Sequence, residues 1–182
     1  MEEFSDRELL DLFAQASTRN HAFNMLVRQY QQRLYWHIRK MVLDHDDADD
    51  LLQNVFIKAF KALDNFREDS KIYTWLYKIA TNECITFLNT KKKRFMVPMA
   101  DVEYQLSQNL ETDSYFSGDR IQMKLQQAIL TLPDKQRLVF NLKYFEEMKY
   151  EDMSEILGTS VGALKASFHH AVKKIEEFMK RD

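Results

Sequence analysis

Glycine and proline are nearly missing from this chain: three and two in 182 residues. Tight turns between strands draw on both, because glycine reaches positive φ and proline presets a turn angle. Their scarcity argues against sheets and for an all-helical protein. There is one cysteine, Cys84, so no internal disulfide can form, and a reducing, cytoplasmic setting is the default expectation. No apolar run approaches the roughly 18 to 20 residues that span a bilayer, so direct membrane insertion is not expected. The opening residues Met1-Glu2-Glu3-Phe4-Ser5-Asp6 are acidic and do not resemble a signal peptide. Charge of one sign is also lacking, since 26 Lys+Arg stand against 28 Asp+Glu.

What is present is apolar volume and local charge. Forty-five per cent of residues are hydrophobic, among them 13 Phe, 8 Tyr and 9 Met. Helices packed on large, adaptable side chains follow from that inventory. The charge alternates in blocks: +4 over residues 21–40, −4 over 41–60 and +3 over 81–94, ending in Lys91-Lys92-Lys93-Arg94. Local basic faces bind a polyanion even when net charge is balanced, because phosphate contacts are local. Residues 95–118 hold Asp101, Glu103, Glu111 and Asp113 and no basic residue. They read as an acidic linker between two helical domains, 1–94 and 119–182.

Apolar spacing of three and four predicts the helices. A first runs from a capping box at Ser5 and Glu8 to about Ala16, and a second covers about Ala22 to Val42. Asp46 is the expected N-cap of a third, whose buried face is Leu51, Leu52, Val55, Phe56, Ala59, Phe60 and Leu63. After a loop at 64–69, Ser70 is expected to cap a fourth helix reaching about Thr90. In the second domain a helix begins near Asp119, and Pro133 opens another. A short helix from Glu151 to Leu157 follows, then a last one from Val161 to about Lys180, capped by Ser160. Gly158 suits the positive-φ position that ends the short helix.

That last pair has the form of a helix-turn-helix: short helix, three-residue glycine turn, longer helix. Ser154 is small enough for the two helices to approach, and Met153, Ile156, Val161 and Leu164 close their core. The N-terminal half of the second helix is then the part that enters a major groove. His169 and His170 are adjacent on a helix and face different directions, so a metal pair is not expected.

Two motif sets resemble the extracytoplasmic-function (ECF) group of bacterial sigma factors, in the sigma-70 family. Asp47-Ala48-Asp49-Asp50-Leu51-Leu52-Gln53-Asn54-Val55-Phe56 and the stretch Phe66 to Asn82, with its Thr74-Trp75-Leu76-Tyr77-Lys78-Ile79-Ala80-Thr81-Asn82 string, are similar to region 2. Leu132-Pro133-Asp134-Lys135-Gln136-Arg137 through Ala171 is similar to region 4. The resemblance implies a non-enzymatic subunit with no cofactor, which binds core RNA polymerase and directs it to promoter DNA. It also implies an anti-sigma factor as partner. Asp49, Asp50, Gln53, Asn54 and Lys58 would meet the polymerase. Phe66, Ser70, Lys71, Tyr73, Lys78, Asn82, Lys91, Lys92, Lys93 and Arg94 would handle the −10 element, with a flipped base against Phe66, Ser70 and Asn82. Ser160, Lys165, Ala166, Ser167, His169, His170 and Lys173 would read the −35 element. The family usually has Thr at Ala163 and cations at several of Ser167, His170 and Val172, so weak affinity for isolated −35 DNA is implied.

Two other readings compete. Asp46-Asp47-Ala48-Asp49-Asp50 fits the magnesium-holding DDxxD of helical prenyl-transfer enzymes. Those enzymes need a second acidic cluster on a facing helix, and no match is found. An autonomous helix-turn-helix repressor would bind DNA tightly without polymerase.

Overall fold

The computed structural model describes residues 4–66, 68–95 and 120–180, with the backbone alone at 92–95. The acidic stretch 96–118, most of the expected linker, lies outside the described residues. Every regular element among those described is helical. α1 (Asp6–Ala14) begins at the expected capping box. The Ser5 hydroxyl accepts from the Glu8 amide at 3.3 Å, and the Glu8 carboxylate accepts from the Ser5 amide at 2.9 Å. α2 (Arg19–Val42) starts three residues before Ala22, and Leu43 closes it at φ 62. Arg39, buried, donates to the Leu43 carbonyl. Arg19 forks onto the Asp64 carboxylate at 2.7 and 2.5 Å, tying the start of α2 to the turn beyond α3.

α3 (His45–Ala62) is capped by Asp44, not Asp46: its carboxylate accepts from the Asp47 amide at 3.0 Å. Several cap-competent residues stand in a row here, and the extended backbone of Asp44 (φ −97, ψ 138) selects it. A 3₁₀ turn, Leu63–Asn65, follows. α4 (Ile72–Phe95) also departs from expectation. The Ile72 amide donates to the Asp6 carboxylate of α1 at 2.8 Å, so a charged acceptor 66 residues away caps it instead of Ser70. Substituting Asp6 by Ala is expected to cost about 1 kcal/mol, the usual worth of a cap. A drop of several degrees in thermal midpoint checks this. α4 continues to Phe95, so the basic tetrad lies within the helix.

α5 (Arg120–Leu130) and α6 (Asp134–Tyr144, entered from Pro133) precede the expected pair, α7 (Tyr150–Leu157) and α8 (Val161–Met179). Gly158 turns between them at φ 59.

α1 to α4 close around Leu9, Phe13, Leu26, Leu34, Ile38, Val55 and Leu76. The same core continues into Leu138, Val139, Leu142, Met148 and Met153 of the second unit. A smaller core of Ala128, Ile129, Leu132, Phe140, Ala171 and Ile175 holds α5, α6 and α8 together. Phe140 stacks with the rings of Tyr144 and Phe168, with 5.0 and 5.8 Å between ring centres. No helix among the described residues is long and apolar enough to cross a membrane.

Candidate nucleic-acid interface

The helix-turn-helix forms as the spacing requires. Met153, Ile156 and Leu164 are buried, and Val161 is half-buried beside them. Ser160 caps α8, its hydroxyl accepting from the Ala163 amide at 3.3 Å. Leu164, Ala171 and Ile175 turn inward, which leaves Lys165, Ala166, His169, His170 and Lys173 exposed along one outward arc. Ser167 is half-buried at the edge of that arc. Lys165 Nζ lies 5.7 Å from the centre of the Tyr150 ring, so its stem leans toward α7.

The −10 candidates fall into three groups. Phe66, Ser70 and Lys71 line one open cleft of about 450 Å³, together with Asp6, Arg7 and Leu10 of α1 and with Asp152 and Glu155 of α7. Phe66 meets Trp75 at 5.2 Å between ring centres, so Trp75 is a half-buried wall behind the loop. Lys78 and Asn82 are exposed one turn apart on α4 and are not part of the cleft lining. Of the three residues expected to hold a flipped base, Phe66 and Ser70 line this cleft. Tyr73 is half-buried against Tyr77 at 5.0 Å. Burial, aided by the charge of Asp152 and opposed by Arg33, pushes its hydroxyl up to about 12, so it stays a donor at neutral pH. In the tetrad, Lys91 Nζ is 2.8 Å from the Asp47 carboxylate of α3. The side chains of Lys92, Lys93 and Arg94 lie outside the described residues.

On α3, Asp50, Gln53 and Asn54 are exposed. Asp49 is half-buried with His45 at 3.5 Å, and Lys58 bonds Glu83 of α4 at 2.5 Å. The residue that polar-position reasoning missed is Ile57, 52% exposed in the middle of this stripe. Its place could have been found from the helix period, since it stands three and four positions after Asn54 and Gln53. An apolar side chain ringed by polar ones is the anatomy of a docking patch.

An outward helix-turn-helix on one unit and an aromatic-backed loop and helix on the other give an all-helical protein with two separate candidate nucleic-acid surfaces. The Sigma-70 region 2 profile matches residues 26–94, and the Sigma-70, region 4 profile matches residues 122–175. The chain is 32% identical over 182 residues to the RNA polymerase sigma-H factor of Pseudomonas aeruginosa, covering 94% of this chain and 92% of that protein. It is 28% identical over 185 residues to the ECF RNA polymerase sigma-E factor of Escherichia coli, covering 96% and 94%. Among solved structures it resembles CnrH in complex with the cytosolic domain of CnrY (TM-score 0.71, 24% identity, 98% of this chain and 99% of that one). It also resembles the sigma factor RpoE in complex with the anti-sigma factor NepR from Bartonella quintana (TM-score 0.68, 22% identity, 88% and 98%). The chain belongs to the extracytoplasmic-function group of the sigma-70 family. It is a promoter-directing subunit of RNA polymerase and not an enzyme.

Proposed function

We propose that the three surfaces divide this work between them. The polar stripe of α3, Asp49, Asp50, Gln53, Asn54 and Lys58, docks on core polymerase. Phe66, Ser70, Lys71, Tyr73, Lys78, Asn82 and the basic run at 91–94 engage the −10 element. Ser160, Lys165, Ala166, Ser167, His169, His170 and Lys173 engage the −35 element. Residues 1–94 and 119–182 act as separate readers, joined by 95–118. An anti-sigma factor holds the chain in check, as NepR and CnrY are bound to two proteins of similar fold. The site of action is the cytoplasm, where the polymerase is.

One observation carries the reading: α8 leaves its N-terminal half uncovered, with an unbroken outward arc from Lys165 to Lys173. The test is transcription in vitro from a pool of genomic fragments with purified core polymerase. Transcripts starting at sites that share two spaced elements support the assignment. Tight duplex binding without polymerase, and no transcripts, would favour the repressor. In the same assay, Lys165→Ala is expected to weaken promoter binding about three- to ten-fold. It is also expected to reduce the salt slope by about one, as loss of one phosphate contact does.

A further inference from the structure

Side chains from α2, α4, α6 and the turn between α7 and α8 leave a crevice of about 290 Å³. Its walls are aliphatic: Met41 of α2, Ile85 and Leu88 of α4, Leu138 of α6 and Leu157 of α7. Met41 and Leu138 are buried, while Ile85 is 39% exposed, so the apolar surface runs from the interior out to solvent. Ile85, Leu88 and Asn89 stand three and four positions apart and share one face of α4. The polar part of the lining includes Asn89, Asp134 and Lys135. The Asp134 carboxylate is engaged by the Arg137 guanidinium at 2.5 Å. Lys135 is exposed and has no ion-pair partner among the described residues. Protein interiors seldom leave gaps much larger than a water molecule. Aliphatic walls with nothing between them forgo dispersion contacts that an apolar guest would supply.

We propose that this crevice binds a small aliphatic carboxylate, its alkyl chain lying among the aliphatic walls and its head group pairing with Lys135. Size decides against a helix as the occupant. A helix about 10 Å across encloses roughly 420 Å³ in each 5.4 Å turn, more than the whole crevice. The volume falls at the lower end of the range for small-molecule sites, and the lining is of the usual kind, apolar walls with a few polar groups that fix orientation. Charge decides the head group. An alkylammonium would be repelled by Lys135, and an alcohol would leave it without a counter-charge. None of the lining residues belongs to the surfaces assigned above to polymerase or promoter DNA, so this site stands or falls separately from them.

The test is isothermal titration of the full chain with sodium hexanoate, sodium octanoate and octanol. The variants are Lys135→Ala and Ile85→Gln, both at exposed positions, with circular dichroism to check that each is folded. Wild type is expected to bind one octanoate per chain. Each methylene buried contributes about four-fold in affinity, so octanoate is expected to bind roughly 15-fold more tightly than hexanoate. Octanoate is also expected to bind about three- to five-fold more tightly than octanol, the worth of an exposed ion pair. Lys135→Ala is expected to abolish that preference and leave octanol binding unchanged. Ile85→Gln is expected to weaken octanoate and octanol alike, by about three- to five-fold, through lost apolar contact. Absence of saturable octanoate binding would overturn the proposal. Equal octanoate affinity in all three proteins would also overturn it, by placing the carboxylate elsewhere as an adventitious additive only. Equal weakening of octanoate and octanol in Lys135→Ala would remove the head-group pairing and the proposal with it.

Discussion

Replacing Ile57 by aspartate is expected to reduce transcription with core polymerase about 100-fold and to leave the thermal midpoint nearly unchanged. Ile57 is 52% exposed, so little folding energy depends on it. The opposite face of α3 supplies the stability, through Ala48, Leu51, Val55, Phe56 and Ala59, all buried. An exposed isoleucine among Gln53, Asn54 and Lys58 has the layout of an interface anchor inside a polar rim. Anchors of that kind are worth 2 kcal/mol or more on truncation, and a buried unpaired carboxylate adds to the loss. About 2.7 kcal/mol corresponds to a factor of 100. Run-off transcript yield and co-purification with core polymerase are the measurements. A loss below about three-fold in both would move the docking face off this part of α3.

The second large effect is acid sensitivity centred on one imidazole. His37 is 1% exposed in the C-terminal third of α2, with Nε2 3.0 Å from the Thr81 hydroxyl of α4 and its ring 5.0 Å from that of Tyr77. Burial, with help from the charge of Lys40, lowers its pKa from 6.5 to about 3. Between those values the unfolded chain binds a proton that the folded chain refuses. This contribution to stability is therefore whole above about pH 6.5 and is lost progressively as pH falls toward 3. At pH 4.5 the loss is roughly 2.8 kcal/mol, two pH units at about 1.4 kcal/mol each. Carboxylates also weaken the protein in acid, so the informative quantity is a difference. Urea unfolding of wild type and His37→Gln at pH 7 and pH 4.5 is expected to show the smaller decrease in the variant, by about that amount. Equal decreases would remove His37 from the acid response.

Local and distant features differed in how well they could be read from the residues. Spacing of apolar side chains located all the helices among the described residues, with ends displaced by a few residues. The Ser5–Glu8 box, the Gly158 turn and the Ser160 cap were all foreseeable, because each is written in neighbours three or four positions apart. The cap of α4 was not. Asp6 reaches Ile72 only because α1 folds back beside it, and no local pattern encodes that. Lys91 illustrates a related limit. As a sequence it reads as one of four cations available to phosphate, yet the fold brings Asp47 to within 2.8 Å of it. The acidic block of α3 and the basic end of α4 were each visible alone, and their pairing depends on how the two helices cross.

The shared core also bears on how the protein is made. α1 to α4 leave the ribosome first, with Met41, Ile85 and Leu88 on a face that Leu138 and Leu157 later adjoin. About 60 more residues must be added before that partner face exists, roughly 3 to 12 seconds at ordinary elongation rates. For that interval the nascent chain carries an uncovered oily patch of the kind that chaperones and proteases recognise.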